Sequence, residues 1–216
     1  MKVVGHKLVE VEGDKNLDVD LTQRWAKNRI WPLKPIGITL HYDVCHSLDE
    51  QTNVLFGSGL SYHVGLDGRD NDGKPPVVRQ YVPFNRRGVH SKGYNDTMIG
   101  ICIVNPGPVI KQGDGSFKDT NGRPWPSGQV VEATHATGRA PRSWTHWATY
   151  SYEERDAVLA VCKALVEAYP SIKKICGHDY LSPGRKWDPG PAADFILDTL
   201  RGAFPDLDVP AFELKD

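Results

Sequence analysis

The run Met98-Ile99-Gly100-Ile101-Cys102-Ile103-Val104 constrains the fold more than any other stretch. Continuous apolar character marks a strand covered on both faces, not one with a wet side. A second run, Ile36-Gly37-Ile38-Thr39-Leu40, is mostly apolar and β-branched and delivers His41 at its end. Strands of this kind belong to α/β proteins, where helices cover the sheet and sites form where strand ends open into loops. Asp43, Cys45 and His46 then take the chain out of the core.

The other elements follow from local signals. Ser47 with Glu50 three residues on has the pattern of a capping box and predicts a short helix to about Leu55. Ser61–Leu66 and Pro76–Val82 read as strands, with a turn at Asp67-Gly68 and a long connection between them, hence a hairpin. On such a strand Tyr62 and His63 point to opposite faces. Val89–Asp96 is polar and glycine-bearing, a loop. From about 105 to 150 the pattern dissolves into glycines, prolines, Trp125, Trp144, Trp147, Arg123, Arg139 and Arg142, which reads as a long loop. Ser151 and Glu154 open a helix whose apolar stripe is Ala157, Val158, Val161, Leu165 and Ala168, and Tyr169-Pro170 ends it. Ile172–Cys176 is a short strand leading into His178, and Ala192–Leu200 a final helix behind Pro191. Residues 1–35 read as an N-terminal arm with a short helix at Leu21–Lys27, and 203–216 as a surface tail. The order predicts a single α/β domain over 36–202, with a mixed central sheet flanked by helices and a long insert at about 105–150.

Composition narrows the partners. A chain of 216 residues with 39% hydrophobic content suits one domain with a real core. A formal net charge of -1 gives no electrostatic reason to expect nucleic acid or anionic membrane as a partner. No apolar run approaches the roughly 20 residues of a membrane span, so no membrane insertion is expected. Met1–Lys7 opens no apolar secretory segment, so the expectation is cytoplasmic synthesis. Cys45, Cys102, Cys162 and Cys176 are scattered without a CxxC pair, and reduced thiols are expected.

The chemistry concentrates in Gly177–Pro191, where a histidine, a lysine and a carboxylate lie between turn-forming glycines and prolines. A catalytic zinc takes three protein ligands and keeps one open position. His41, His178 and Asp188 supply such a set, although a lone histidine is more often structural and these two stand far apart in sequence. Four blocks then match in order: Ile38-Thr39-Leu40-His41; Ser61-Tyr62-His63-Val64 with Asp67-Gly68; Val89–Asn95 running to Ile99-Gly100-Ile101-Cys102; and Gly177-His178-Asp179 to Gly184–Pro191. In these blocks the chain resembles the zinc-dependent N-acetylmuramoyl-L-alanine amidases, the family shared by bacteriophage amidase-lysozymes, bacterial anhydromuropeptide amidases and peptidoglycan recognition proteins.

The resemblance implies that His41, His178 and Asp188 are zinc ligands. It implies that Lys186 stabilises the oxyanion formed when an amide carbonyl is attacked. Many bacterial members carry a glutamate as general base where this chain has Cys102; the phage members resemble it in having cysteine there and use a tyrosine matching Tyr62. Phage members, however, have cysteine as third ligand, where Asp188 stands here. Cys102 itself reads as a small buried residue. His90 and Asn95 are implied in substrate binding, and the tryptophans of the insert either stack on sugar rings or fix the loop. The function implied is hydrolysis of the amide between N-acetylmuramic acid and L-alanine in peptidoglycan, with a phage-type endolysin reaching the wall by a separate release pathway. The alternatives are a cytosolic muropeptide-recycling amidase, an exported antibacterial effector, and a non-catalytic muropeptide-binding protein of the same fold.

Overall fold

In the computed structural model, residues 1–10, 18–20, 31–68, 76–135, 141 and 144–210 are described. In chain order the strands are β1 (Lys2–Val4), β2 (Lys7–Val9), β3 (Asp18–Asp20) and β4 (Gly37–Tyr42). Helix α1 (Leu48–Ser58), β5 (Val64–Asp67), β6 (Val77–Gln80) and β7 (Met98–Ile103) follow. Next come β8 (Val109–Lys111), β9 (Phe117–Asp119), β10 (Pro124–Trp125), β11 (Val130–Glu132) and β12 (His146–Ala148). The chain continues with α2 (Tyr152–Ala168), β13 (Lys174–Gly177), α3 (His178–Leu181) and α4 (Asp194–Ala203). The short helix expected at Leu21–Lys27, and Arg139 and Arg142, lie outside the described residues.

The central sheet has the order β13-β4-β7-β5-β6-β3. Strands β13, β4, β7 and β5 run parallel, β6 is antiparallel to β5, and β3 parallel to β6. It is the mixed sheet that the apolar runs predict, and the expected antiparallel pair is present as β5 and β6, with Ser61, Tyr62 and His63 of the predicted 61–66 strand lying ahead of β5. β4 and β7 are adjacent interior strands and are buried along their whole length. Ile38, Leu40, Ile99, Ile101 and Ile103 share one core with Val158, Val161 and Leu165 of α2 and Ile196, Leu197 and Leu200 of α4. Burying one such side chain contributes about 1.5–3 kcal/mol.

Helix α2 starts where predicted: the Ser151 hydroxyl accepts from the Glu154 amide and the Glu154 carboxylate from the Ser151 amide. At α1 only half of the box forms. Ser47 accepts from the Glu50 amide, but the Glu50 carboxylate turns to the His46 amide, 2.7 Å away. Glu50 is drawn aside because its other oxygen takes the Arg123 guanidinium.

Three segments differ from expectation. Residues 105–150 are not one long loop: β8, β9 and β10 form a three-stranded sheet and β11 and β12 a hairpin. Their strands are two or three residues long, too short for a period to register. The N-terminal residues are not a detached arm. β1 and β2 close through Gly5 and His6, both at positive φ (55° and 67°), and Leu8 is fully buried in the core. The C-terminal segment leaves the surface at Val209, which is buried; Asp208 pairs with Lys173 and Ile175 and covers the edge of β13.

His63 fastens β5 to β7. Its Nδ1 accepts from the Gly100 amide and its Nε2–H donates to the Arg86 carbonyl, each at 2.9 Å. Burial pushes this ring down from 6.5 to about 4. The unfolded chain therefore binds a proton that the folded chain refuses. Stability is full above pH 6.5, falls as pH drops from 6.5 to about 4, and levels off below. The residue accounts for about 3 kcal/mol over that window. In urea unfolding at stepped pH, His63→Gln is expected to reduce the slope between pH 6.5 and 4 by close to one proton; an unaltered slope contradicts the assignment.

Candidate active site

The site forms at one end of the central strands. His41 is the next-to-last residue of β4, opposite Cys102 of β7 in register. His178 follows β13, the neighbour of β4, as the first residue of α3. Asp188 returns to them because the loop after α3 is tied back: the Asp179 amide donates to the Asp188 carbonyl at 2.9 Å, and the Arg185 and Lys186 amides to the Ser182 carbonyl. Gly190, at φ 77°, lies against the Trp147 ring, where a Cβ would come within 2.9 Å. The glycine in this block is therefore required twice, by backbone and by space.

His41 Nδ1 lies 2.7 Å and His178 Nδ1 3.0 Å from the same oxygen, Asp188 Oδ2. All three residues are buried, and their ligand atoms lie within 4.8 Å of one another. Burial lowers the His41 pKa to about 4 against the pull of Asp188, so the ring is neutral at pH 7. Burial opposes the charge of Asp188, but hydrogen bonds from His178 and His41 outweigh it and hold the carboxyl well below the usual range.

This protonation pattern tests whether a metal fits. His90 Nε2 lies 3.0 Å from the Met98 carbonyl, which only accepts, so that nitrogen carries the proton. The other His90 nitrogen, Nδ1, faces His41 Nε2 at 3.1 Å. His41 thus stands between two acceptors, His90 Nδ1 and Asp188 Oδ2, with one proton to give. A cation on the Nδ1 side removes the conflict, and two imidazoles with one carboxylate are the donor set of an open divalent site. The residues fit a zinc ion.

Tyr62 lies over the site, its ring centroid 5.0 Å from that of His41. Its hydroxyl meets the Cys102 thiol, and burial raises its pKa well above 10.0, so it stays protonated. Burial pushes the Cys102 thiol up in the same way, which leaves no activated thiolate. Lys186 is half-buried as a residue and its charge reaches His41; among the described residues it has no ion-pair partner. His90 is not turned toward solvent. Its ring stands edge-on to both His41 and His63, with both nitrogens engaged. Asn95 is buried, and its Oδ1 accepts from the His90 and Ser91 amides at 3.0 and 2.7 Å.

The family model described as N-acetylmuramoyl-L-alanine amidase matches residues 31–191, from the last residues before β4 to the end of the Asp188 loop. The chain belongs to this family. Among solved structures, the N-acetylmuramoyl-L-alanine amidase LysC from Clostridium intestinale URNW is similar at TM-score 0.55 and 15% identity, over 88% of this chain and 97% of that one. The amidase AmiD from E. coli, solved with anhydro-N-acetylmuramic acid-L-Ala-D-gamma-Glu-L-Lys, is similar at TM-score 0.53 and 22% identity, over 80% of this chain and 58% of that one. AmpDh3 from Pseudomonas aeruginosa, in complex with anhydromuramic pentapeptide, has TM-score 0.52 and 19% identity over 82% and 69%. No curated protein matches in sequence. No helix among the described residues is long and apolar enough to cross a membrane.

Several residues that shape the amidase site give little signal in sequence. His135, from the insert, is buried beside the Asp188 loop; its Nε2 lies 3.0 Å from the Trp187 carbonyl and 3.2 Å from Asp179 Oδ2. Asp43 follows His41 on the same side of the chain. Burial pushes its pKa up to about 6, and its charge is felt by Tyr62 and Cys102. Val44, at φ 63°, is a β-branched residue in the left-handed region, and its amide is held by the Asn105 carbonyl at 3.0 Å. Arg123 clamps the insert to this turn through Asp119, Glu50 and the Val44 carbonyl. Of the two roles open to the tryptophans, fixing the insert holds for Trp125 and Trp147. Both are buried, and their indole N–H groups donate to Gln129 and Ala133 carbonyls. Trp144 packs edge-on against Trp187, next to Asp188, with centroids 5.0 Å apart.

Proposed function

We propose that this amidase is a zinc enzyme of the endolysin type that acts on peptidoglycan of the cell wall. The observation that carries the reading is the convergence of His41 Nδ1, His178 Nδ1 and Asp188 Oδ2 with one proton too few between them. A zinc ion held by these three atoms would act as Lewis acid toward the amide carbonyl and make water acidic enough to attack near neutral pH. The side chains around it do the rest. Lys186 brings a positive charge to the oxygen that becomes negative in the transition state. Tyr62, kept protonated by burial, donates a hydrogen bond and orients what lies between it and His41. Cys102 stays a neutral thiol beneath the tyrosine hydroxyl, so no carboxylate from strand β7 serves as base.

The muropeptides bound to AmiD and AmpDh3 support a muropeptide as the ligand here. Retention of all three donor atoms favours turnover over binding alone. The pairing of Tyr62 with Cys102, which resembles the phage members, favours wall lysis over recycling, and an endolysin amidase, LysCS from Clostridium intestinale URNW, shares the fold at TM-score 0.54. The recycling reading is kept by the Lys186-Trp187-Asp188-Pro189-Gly190-Pro191 block, which resembles the anhydromuropeptide amidases. Zinc-loaded protein offered intact sacculi and, separately, soluble anhydromuropeptides separates the two. Release of stem peptides from sacculi is expected; turnover of soluble anhydromuropeptides alone would exclude the endolysin role.

A further inference from the structure

We propose that His90 is a positioning residue for the metal site: its Nδ1 accepts the Nε2 proton of His41 and thereby commits the His41 Nδ1 lone pair to the metal. This rests on the zinc reading above, and it moves His90 from substrate contact to ligand support. The Met98 carbonyl, 3.0 Å away, fixes the proton of His90 on Nε2. The imidazole is packed edge-on between His41 and His63, and with Nε2 turned to the Met98 carbonyl it presents Nδ1 to His41 as the acceptor. His41 Nε2, 3.1 Å from that acceptor, must then hold the proton. The Ser91 hydroxyl lies at 3.1 Å from the same Nδ1 and, as both donor and acceptor, is compatible with either ring state.

The surroundings are shaped for this ring. A Cβ at Gly100 would come within 2.7 Å of His90 Cγ, and one at Gly88 within 2.9 Å of Cδ2. Asn95 holds the amides of His90 and Ser91, which fixes the loop that carries the ring. The relay therefore runs from Asn95 through His90 to His41, and it ends on a ligand atom. Partners that orient a ligand in this way are worth about 10- to 100-fold in metal affinity.

The test is zinc affinity by chelator competition, with folding followed by circular dichroism. His90→Phe keeps a planar ring and loses the acceptor; His90→Gln keeps an acceptor. The phenylalanine variant is expected to bind zinc about 10- to 100-fold more weakly, and the glutamine variant to recover most of that loss. In zinc-loaded, 15N-labelled protein, coupling across the hydrogen bond is expected between His41 Nε2 and His90 Nδ1, a signal that a merely structural histidine would not give. Wild-type affinity in folded His90→Phe, or the absence of that coupling, overturns the relay while the zinc reading stands. A wild-type protein that takes up no zinc overturns both.

Discussion

Exhaustive chelation is expected to lower the release of stem peptides about 10³-fold, and His41→Ala or His178→Ala to match it. The reasoning is electrostatic. Polarising an amide carbonyl and activating water in the same site supplies several kcal/mol to the transition state, and each 1.36 kcal/mol is tenfold in rate, so roughly three powers of ten depend on it. No other group among the described residues of the site offers that chemistry. Tyr62 and Cys102 are both held protonated by burial. Removing one imidazole also strands the Asp188 carboxylate, which is buried with its Oδ2 within 3.0 Å of both histidines. Activity should return on adding zinc to chelated wild-type protein and should not return in either alanine variant. Equal stem-peptide release before and after chelation would end the metal reading.

Lys186→Ala is expected to lower kcat about 10²-fold with little change in KM. A preorganised cation aimed at a developing oxyanion acts where charge appears, so its loss falls on the chemical step and not on ground-state binding. Its placement supports that role. Lys186 sits two residues before Asp188 in a loop pinned by Ser182, and its charge already reaches His41. Steady-state kinetics on a soluble muropeptide gives the split directly. A rise in KM at constant kcat would make Lys186 a binding residue, and no change in either would place it outside the reaction.

How much of this was legible beforehand differs from element to element. Met98–Val104 declares itself because a strand covered on both faces leaves no polar position along its length. Ser151 and Glu154 declare α2 because a capping box is local and reads identically in sequence and in space. Ser47 and Glu50 show the limit of that logic. The same spacing yields half a box, because Arg123, from far along the chain, competes for the carboxylate. The insert was illegible for a related reason. Its strands are short, and what holds them is a set of distant partners: Asp119 with His46 and Arg123, Trp147 with Gly190, His135 with the Asp188 loop.

The sequence by itself determined the sheet, the covering helices and the candidate ligands His41, His178 and Asp188, since apolar runs, caps and ordered motif blocks are written along the chain. Tertiary structure alone decided the state of those ligands. His41 and Asp188 are 147 positions apart, and only folding brings Nδ1 to 2.7 Å from Oδ2. Only burial makes His41 neutral, and only the two imidazoles that folding brings against Asp188 keep it charged despite its burial. The turn of His90 toward His41, away from solvent, is likewise set by the Met98 carbonyl and by the space left at Gly100. Protonation and hydrogen-bond direction depend on what surrounds an atom in three dimensions, and one-dimensional spacing does not carry that information.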